Sequence, residues 1–196
     1  MQPKRARQIL LCASGGYQSF MLPAFILSLL KHAADDVQVV LSRAAAKLVS
    51  TYAVETASRH KVYIEMDDTG PEAFVPHIEL SRAADLVLVY PASVNIIGKV
   101  AHGITDELIC ALILATDKPV LFVPIANELM WEHPAAKRNL ATLRQDGYIV
   151  HDPLPNIEIA TREGLETIGG FPIPTVLMQI SSALAGNAGR VTRDPI

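Results

Sequence analysis

Short, uninterrupted apolar runs recur along this chain and alternate with longer stretches of helical periodicity. The runs at residues 8–13, 37–41, 61–65, 85–90, 119–123 and 148–150 read as strands. They are continuous rather than alternating, the pattern of parallel strands covered on both faces. Residues 20–32, 44–58, 77–84, 95–103, 106–116 and 135–146 carry helical spacing, with start signals such as Ser42 before the run at 44 and Asp106 before Leu108. This order predicts an α/β fold, a doubly wound parallel sheet in a three-layer sandwich.

Beyond Val150 the pattern thins. Residues 151–175 hold four prolines and three glycines, and a loop of that length reads as a functional flap over 153–174. Residues 175–185 form a last amphipathic helix, and a frayed tail follows Gly186. No repeat or linker divides the chain, so 1–196 reads as a single domain.

Composition narrows the partners. Half of the 196 residues are hydrophobic and 19% are charged, a balance that suits burial of part of the surface between subunits. The net charge of −3 gives no reason to expect nucleic acid or an anionic membrane. The greasiest segment, residues 20–30, contains Pro23 and Ser28 and falls short of the ~20 residues that cross a bilayer. Cys12 and Cys110 lie inside apolar runs and read as reduced, buried thiols of a cytoplasmic protein.

Polar residues gather at the carboxyl ends of the predicted strands, where open α/β sheets bind ligands. The run 86–90 ends in Pro91-Ala-Ser93-Val94-Asn95-Ile96, which presents backbone N–H groups and a hydroxyl as a helix opens. The first strand runs into Ser14-Gly15-Gly16, which fits either a phosphate cradle or a plain strand-to-helix turn. Ser42 fits a helix cap or a phosphate contact. Pro124-Ile125-Ala-Asn127 ends a further strand, with Met130 and Trp131 as an apolar lid or as core. Neither Gly-x-Gly-x-x-Gly nor a Walker pattern occurs.

Of six histidines, His32, His60 and His151 read as solvated surface, His102 as a helix C-terminal residue and His133 as a turn residue. His77, just after Pro76, fits a helix N-terminus or a catalytic role. No pair has metal-ligand spacing, so no metal is expected.

His77-Ile-Glu-Leu80, Pro91–Ile96, Gly103-Ile-Thr-Asp106 and Pro124–Trp131 together resemble the homo-oligomeric flavin-containing cysteine decarboxylases. That family includes the peptidyl-cysteine decarboxylases of lanthipeptide and related peptide pathways, and phosphopantothenoylcysteine decarboxylase. The resemblance spans most of residues 8–150 and implies a Rossmann/flavodoxin-like flavoprotein with FMN as cofactor. The family's Pro-Ala-Ser-Ala-Asn-Thr motif falls on 91–96, with Val94 and Ile96 departing from it. Its Pro-x-Met-Asn-x-x-Met-Trp clamp falls on 124–131, with Ala126 departing.

By that matching His77 and Asn127 are catalytic, and Asn127, Met130 and Trp131 contact substrate. Ser14, Gly15, Gly16, Ser42, Ser93, Val94, Asn95, Ile96 and Ile125 bind FMN. The resemblance further implies a homotrimer or homododecamer acting on a precursor peptide that ends in cysteine.

One departure separates the branches. Phosphopantothenoylcysteine decarboxylases carry a late cysteine that helps reduce the enethiol intermediate, and residues 151–196 hold none. The resemblance therefore implies oxidative decarboxylation that stops at the enethiol. His77 would take the thiol proton, and Asn127 would orient the carboxylate. A pantothenate-pathway decarboxylase, a prenyl-FMN synthase and a non-catalytic regulatory flavoprotein are the alternatives. The second lacks a basic cluster beside Pro91–Ile96, where Lys99 stands alone, and the third often carries an acidic tail, which is absent here.

Overall fold

In the computed structural model, residues 5–71, 73–152 and 173–186 are described. Of the predicted flap at 153–174, residues 153–172 lie outside them and 173–174 belong instead to the final helix; the tail beyond 186 also lies outside. Five strands form one sheet: β1 (Ala6–Ala13), β2 (Ala34–Leu41), β3 (Leu86–Ala92), β4 (Val120–Pro124) and β5 (Ile149–Val150). All neighbours are parallel, in the order β2-β1-β3-β4-β5. Connections reverse direction between β1 and β3, which opens a crevice at the carboxyl edge.

The apolar runs are continuous because each strand feeds two cores. On β1, Ile9, Leu11 and Ala13 pack on one face, while Leu10 and Cys12 pack on the other. The same alternation gives Leu86, Leu88 and Tyr90 to the first core and Val87 and Val89 to the second. The first face is covered by α1 (Leu22–His32), α2 (Thr51–Ser58) and, near the other end of the chain, Val176, Ile180 and Ala183 of the final helix. The opposite face is covered by α3 (Pro76–Ala83), α4 (Val94–Ala101), α5 (Leu108–Ala115), a short α6 (Glu128–Glu132) and α7 (Pro134–Gln145). The final helix is α8 (Ile173–Leu184). No described helix is long and apolar enough to cross a membrane.

Three differences from the sequence pattern have local causes. The expected strand at 61–65 is reduced to one parallel bridge between Tyr63 and Val40. There the Asp68 carboxylate accepts from the Ile64 and Glu65 N–H groups at 2.7 and 3.0 Å, which withdraws both from a ladder. The helix expected over 44–58 divides into a 3-10 turn, Ala45–Lys47, and α2, because Ser50 caps the second piece by accepting from Ala53 N–H. α5 starts two residues after Asp106, since Glu107 is extended and Asp106 and Glu107 both bind Lys99. Gly103, at φ +67°, ends α4 with a backbone conformation that side-chain-bearing residues avoid.

Beneath the crevice, the Phe25 ring of α1 packs on Tyr90 with centroids 4.5 Å apart, and both are fully buried. Phe25→Ala should therefore cost about 3–5 kcal/mol, and Phe25→Leu much less, in urea unfolding. At the sheet's outer edge, Asp36 accepts from Gln8 Nε2 at 2.8 Å and meets His60 Nε2 at 2.7 Å. Burial alone would raise the Asp36 carboxyl, but these hydrogen bonds outweigh it and hold the group below its ordinary value. A lowered folded-state value stabilises above the unfolded carboxylate range and is lost as pH falls through it. Asp36→Asn should flatten the acid limb of a stability-versus-pH curve.

Candidate functional site

The carboxyl ends of β1, β2, β3 and β4 surround a cleft of about 960 Å³, at the large end of the ~300–1,000 Å³ expected of small-molecule sites. Its floor is held by Ser14. The buried Ser14 Oγ donates to Pro91 O (2.8 Å), accepts from Ser93 N–H (2.8 Å) and lies 3.0 Å from Ser93 Oγ. The end of β1 is thereby tied to the start of α4. Ser93 caps α4 by accepting from Ile96 N–H at 3.4 Å, which leaves the N–H groups of Val94 and Asn95 without intrahelical partners.

The Gly15-Gly16 turn is set by close approach. A Cβ on Gly15 would lie 2.7 Å from Ala44 Cβ, and one on Gly16 would lie 3.1 Å from the Pro91 ring. The two glycines thus let three strand ends converge. Ser42 accepts from Ala45 N–H at 3.1 Å, so its cap role is met while its own O–H remains a donor. Asn127 caps α6 through Oδ1, which accepts from Met130 N–H at 2.9 Å. That bond orients the amide and leaves Nδ2 as an uncharged donor at the cleft wall.

Ser14, Gly15, Gly16, Ser42, Ser93, Val94, Asn95, Ile96, Ile125, Asn127 and Met130 all line this cleft. Two expected site residues stand apart. Trp131 is in the core on the α3–α7 face, its Nε1 buried without a partner among the described residues. His77, at the first turn of α3, is not among the lining residues, and its Nδ1 is buried without a partner among the described residues. His151, expected on the surface, is 6% exposed: its N–H donates to Phe122 O, and Nδ1 lies 2.6 Å from Asp152 O.

Arg43 and Lys47, missed by the sequence reading, join Lys99 along one wall, so Lys99 does not stand alone beside Pro91–Ile96. Arg43 makes a paired contact with Glu65 at 2.7 and 2.6 Å, and Lys47 stands one turn further on. Lys99 is clamped by Asp106 at 3.0 Å and by Glu107, which raises its ammonium above the ordinary value, Glu107 being the chief cause. The sequence signal for Arg43 and Lys47 was their position just after a strand's carboxyl end. Both cysteines are buried in the core, and desolvation pushes the Cys110 thiol up to about 12 and Cys12 higher still. Neither is a thiolate donor. Among the described residues no group of three His, Cys, Asp or Glu could hold a metal ion.

This lining fits a flavin mononucleotide. A flat ring system needs apolar walls, which Val94, Ile96, Ile125 and Met130 supply. A phosphate needs donors and cations, which Ser42 and the Arg43–Lys47 segment supply, while the unpaired N–H groups at the start of α4 suit the polar edge of the ring.

Comparison with known proteins agrees with that fit. The bifunctional coenzyme A biosynthesis protein CoaBC of Bacillus subtilis (strain 168) is 38% identical over 147 residues, covering 75% of this chain and 36% of its own length. The chain thus spans little more than a third of the length of the curated relatives it matches. Among solved structures, the FMN-dependent cysteine decarboxylase SpaF superposes with a TM-score of 0.75 at 27% identity, covering 92% of this chain and 96% of SpaF. A PPC decarboxylase mutant complexed with pantothenoylaminoethenethiol superposes with a TM-score of 0.68 at 27% identity, covering 80% and 87%. The Flavoprotein family model matches residues 1–179, and with that match over nearly the whole chain the protein belongs to the Flavoprotein family.

Proposed function

We propose that this protein catalyses the FMN-dependent oxidative decarboxylation of a cysteine at the C-terminus of a precursor peptide. The product is an aminoenethiol, the nucleophile for aminovinyl-cysteine formation. The observation that carries the reading is an amphipathic cleft in a chain whose only cysteines, Cys12 and Cys110, are core residues. With no late cysteine to assist reduction, the product stays oxidised, and the two electrons left on FMN would pass to an external oxidant such as oxygen.

FMN bound in the cleft would supply a two-electron oxidation of the cysteine Cβ–S unit to a thioaldehyde, which makes the neighbouring carboxylate easy to lose as carbon dioxide. Asn127 holds that carboxylate through Nδ2 without a full charge, because a cation there would stabilise the ground state and oppose its departure. Ser93 and the first N–H groups of α4 position the ring edge. Met130, at the mouth, excludes water from the reacting carbon.

His77 is the base for the thiol proton, and it serves a neighbouring copy. It lies outside the single-chain cleft, next to Phe74, which is 79% exposed. Beside Asn127, Leu129 is 82% exposed. These two apolar surfaces are different patches, so joining them is a head-to-tail contact that closes a ring such as a trimer, or a dodecamer of trimers.

A second reading, phosphopantothenoylcysteine decarboxylase, draws support from the 38% identity to CoaBC. The substrate assay separates the two. A peptide ending in cysteine should lose two hydrogens and one carbon dioxide by mass spectrometry, while phosphopantothenoylcysteine stays intact. The reverse result selects the second reading.

His77→Asn should leave purified protein yellow but lower turnover by on the order of 10²-fold or more, the scale of a lost general base. Mixing His77→Asn with Asn127→Ala subunits should restore part of the activity, since some shared sites then hold both residues. No recovery on mixing would place His77 outside its neighbour's site.

A further inference from the structure

The wall of the cleft opposite the apolar residues ties two of its three cations, Arg43 and Lys99, to carboxylates and leaves Lys47 exposed. Lys99 and Arg43 face Glu65, Asp106 and Glu107, and all but Glu65 line the cleft itself. A small cavity of about 150 Å³ adjoins this wall and is lined by Ser42, Arg43, Glu65, Asp106 and Glu107 among others. With its charges so paired, the wall offers little net attraction to a phosphate monoester, which carries close to two negative charges. Exposed Lys47 is one cation at the cleft, and a dianion calls for a second to be freed from its carboxylate.

Lys99 is a poor candidate for release. Its side chain is largely buried between two carboxylates, and withdrawing it would leave Glu107 partly buried and unpaired. Arg43 differs. Its pair with Glu65 is exposed, with side-chain accessibilities of 73% and 40%. Exposed ion pairs contribute little net stability, and a freed Glu65 is rehydrated in place. The guanidinium fork that now holds a carboxylate at two points matches a phosphate equally well. Arg43 also follows directly on Ser42, whose hydroxyl is a free donor at the same strand end.

We propose that Arg43 exchanges Glu65 for the terminal phosphate of the bound mononucleotide, so that the pair selects FMN over riboflavin. Glu65 is then a competitor that holds the guanidinium in place until a dianion arrives. The inference rests on the FMN reading above and adds to it a residue that determines cofactor specificity.

Riboflavin, which has the same ring and lacks the phosphate, is the control. Apparent Kd values for FMN and riboflavin are measured by flavin fluorescence quenching on full-length apoprotein, with Arg43→Gln and Glu65→Gln beside the wild type. Arg43→Gln should weaken FMN binding on the order of tenfold and leave riboflavin unchanged, the scale of one charge-assisted hydrogen-bonded contact. Glu65→Gln should strengthen FMN binding a few-fold, again without moving riboflavin. Equal weakening of both flavins by Arg43→Gln, or no change in either, overturns the exchange while the FMN reading stands. Weakened FMN binding in Glu65→Gln also overturns it. A wild-type protein that binds neither flavin overturns the exchange and the FMN reading together.

Discussion

Ser14 is the point on which the cleft turns. A parallel sheet covered on both faces leaves no open face for a ligand, so polar contacts with one come from the loops at the carboxyl edge. Those loops must be held at fixed separation. The Ser14 hydroxyl does this by joining Pro91 O and Ser93 N–H across the gap between the ends of β1 and β3. The bare backbone of Gly15 and Gly16 lets the ends of β2 and β3 approach on either side. Below, Phe25 against Tyr90 fixes the height of the same platform.

Helix caps then do double service. Ser42, Ser93 and Asn127 each spend one acceptor on the first turn of the following 3-10 turn or helix. Ser42 keeps its O–H and Asn127 its amide as donors for the cleft, while the Ser93 hydroxyl is engaged with Ser14. Capping freezes the side chain in a direction fixed by the backbone, so the donors are oriented before any ligand arrives. The same economy explains why cap residues and site residues coincide in this chain.

Charge is distributed unevenly around the cleft. One side is apolar and suits an aromatic ring, while the other alternates cations and carboxylates that largely cancel. A buried clamp such as Lys99 with Asp106 and Glu107 shapes the wall. An exposed pair such as Arg43 with Glu65 is free to respond to what binds. Solvent exposure, rather than residue type, separates the two roles.

The apolar runs alone determined the strands and their parallel, doubly covered packing, because only such strands need hydrophobic residues at every position. Local sequence also offered Ser42 as a cap, and it marked the strand ends as the place for chemistry; that Ser93 caps α4 came from the structure. It could not show that Asp68 draws two N–H groups away from the expected strand at 61–65, since that bond forms only when the turn closes. Nor could it separate Met130, at the cleft, from its neighbour Trp131, in the core. Helix rotation about α6 decides that, and packing against the sheet sets the rotation. His77 and the Arg43–Glu65 pair make the same point: which residues share a site depends on chain segments far apart in sequence, and tertiary structure alone brings them together or keeps them apart.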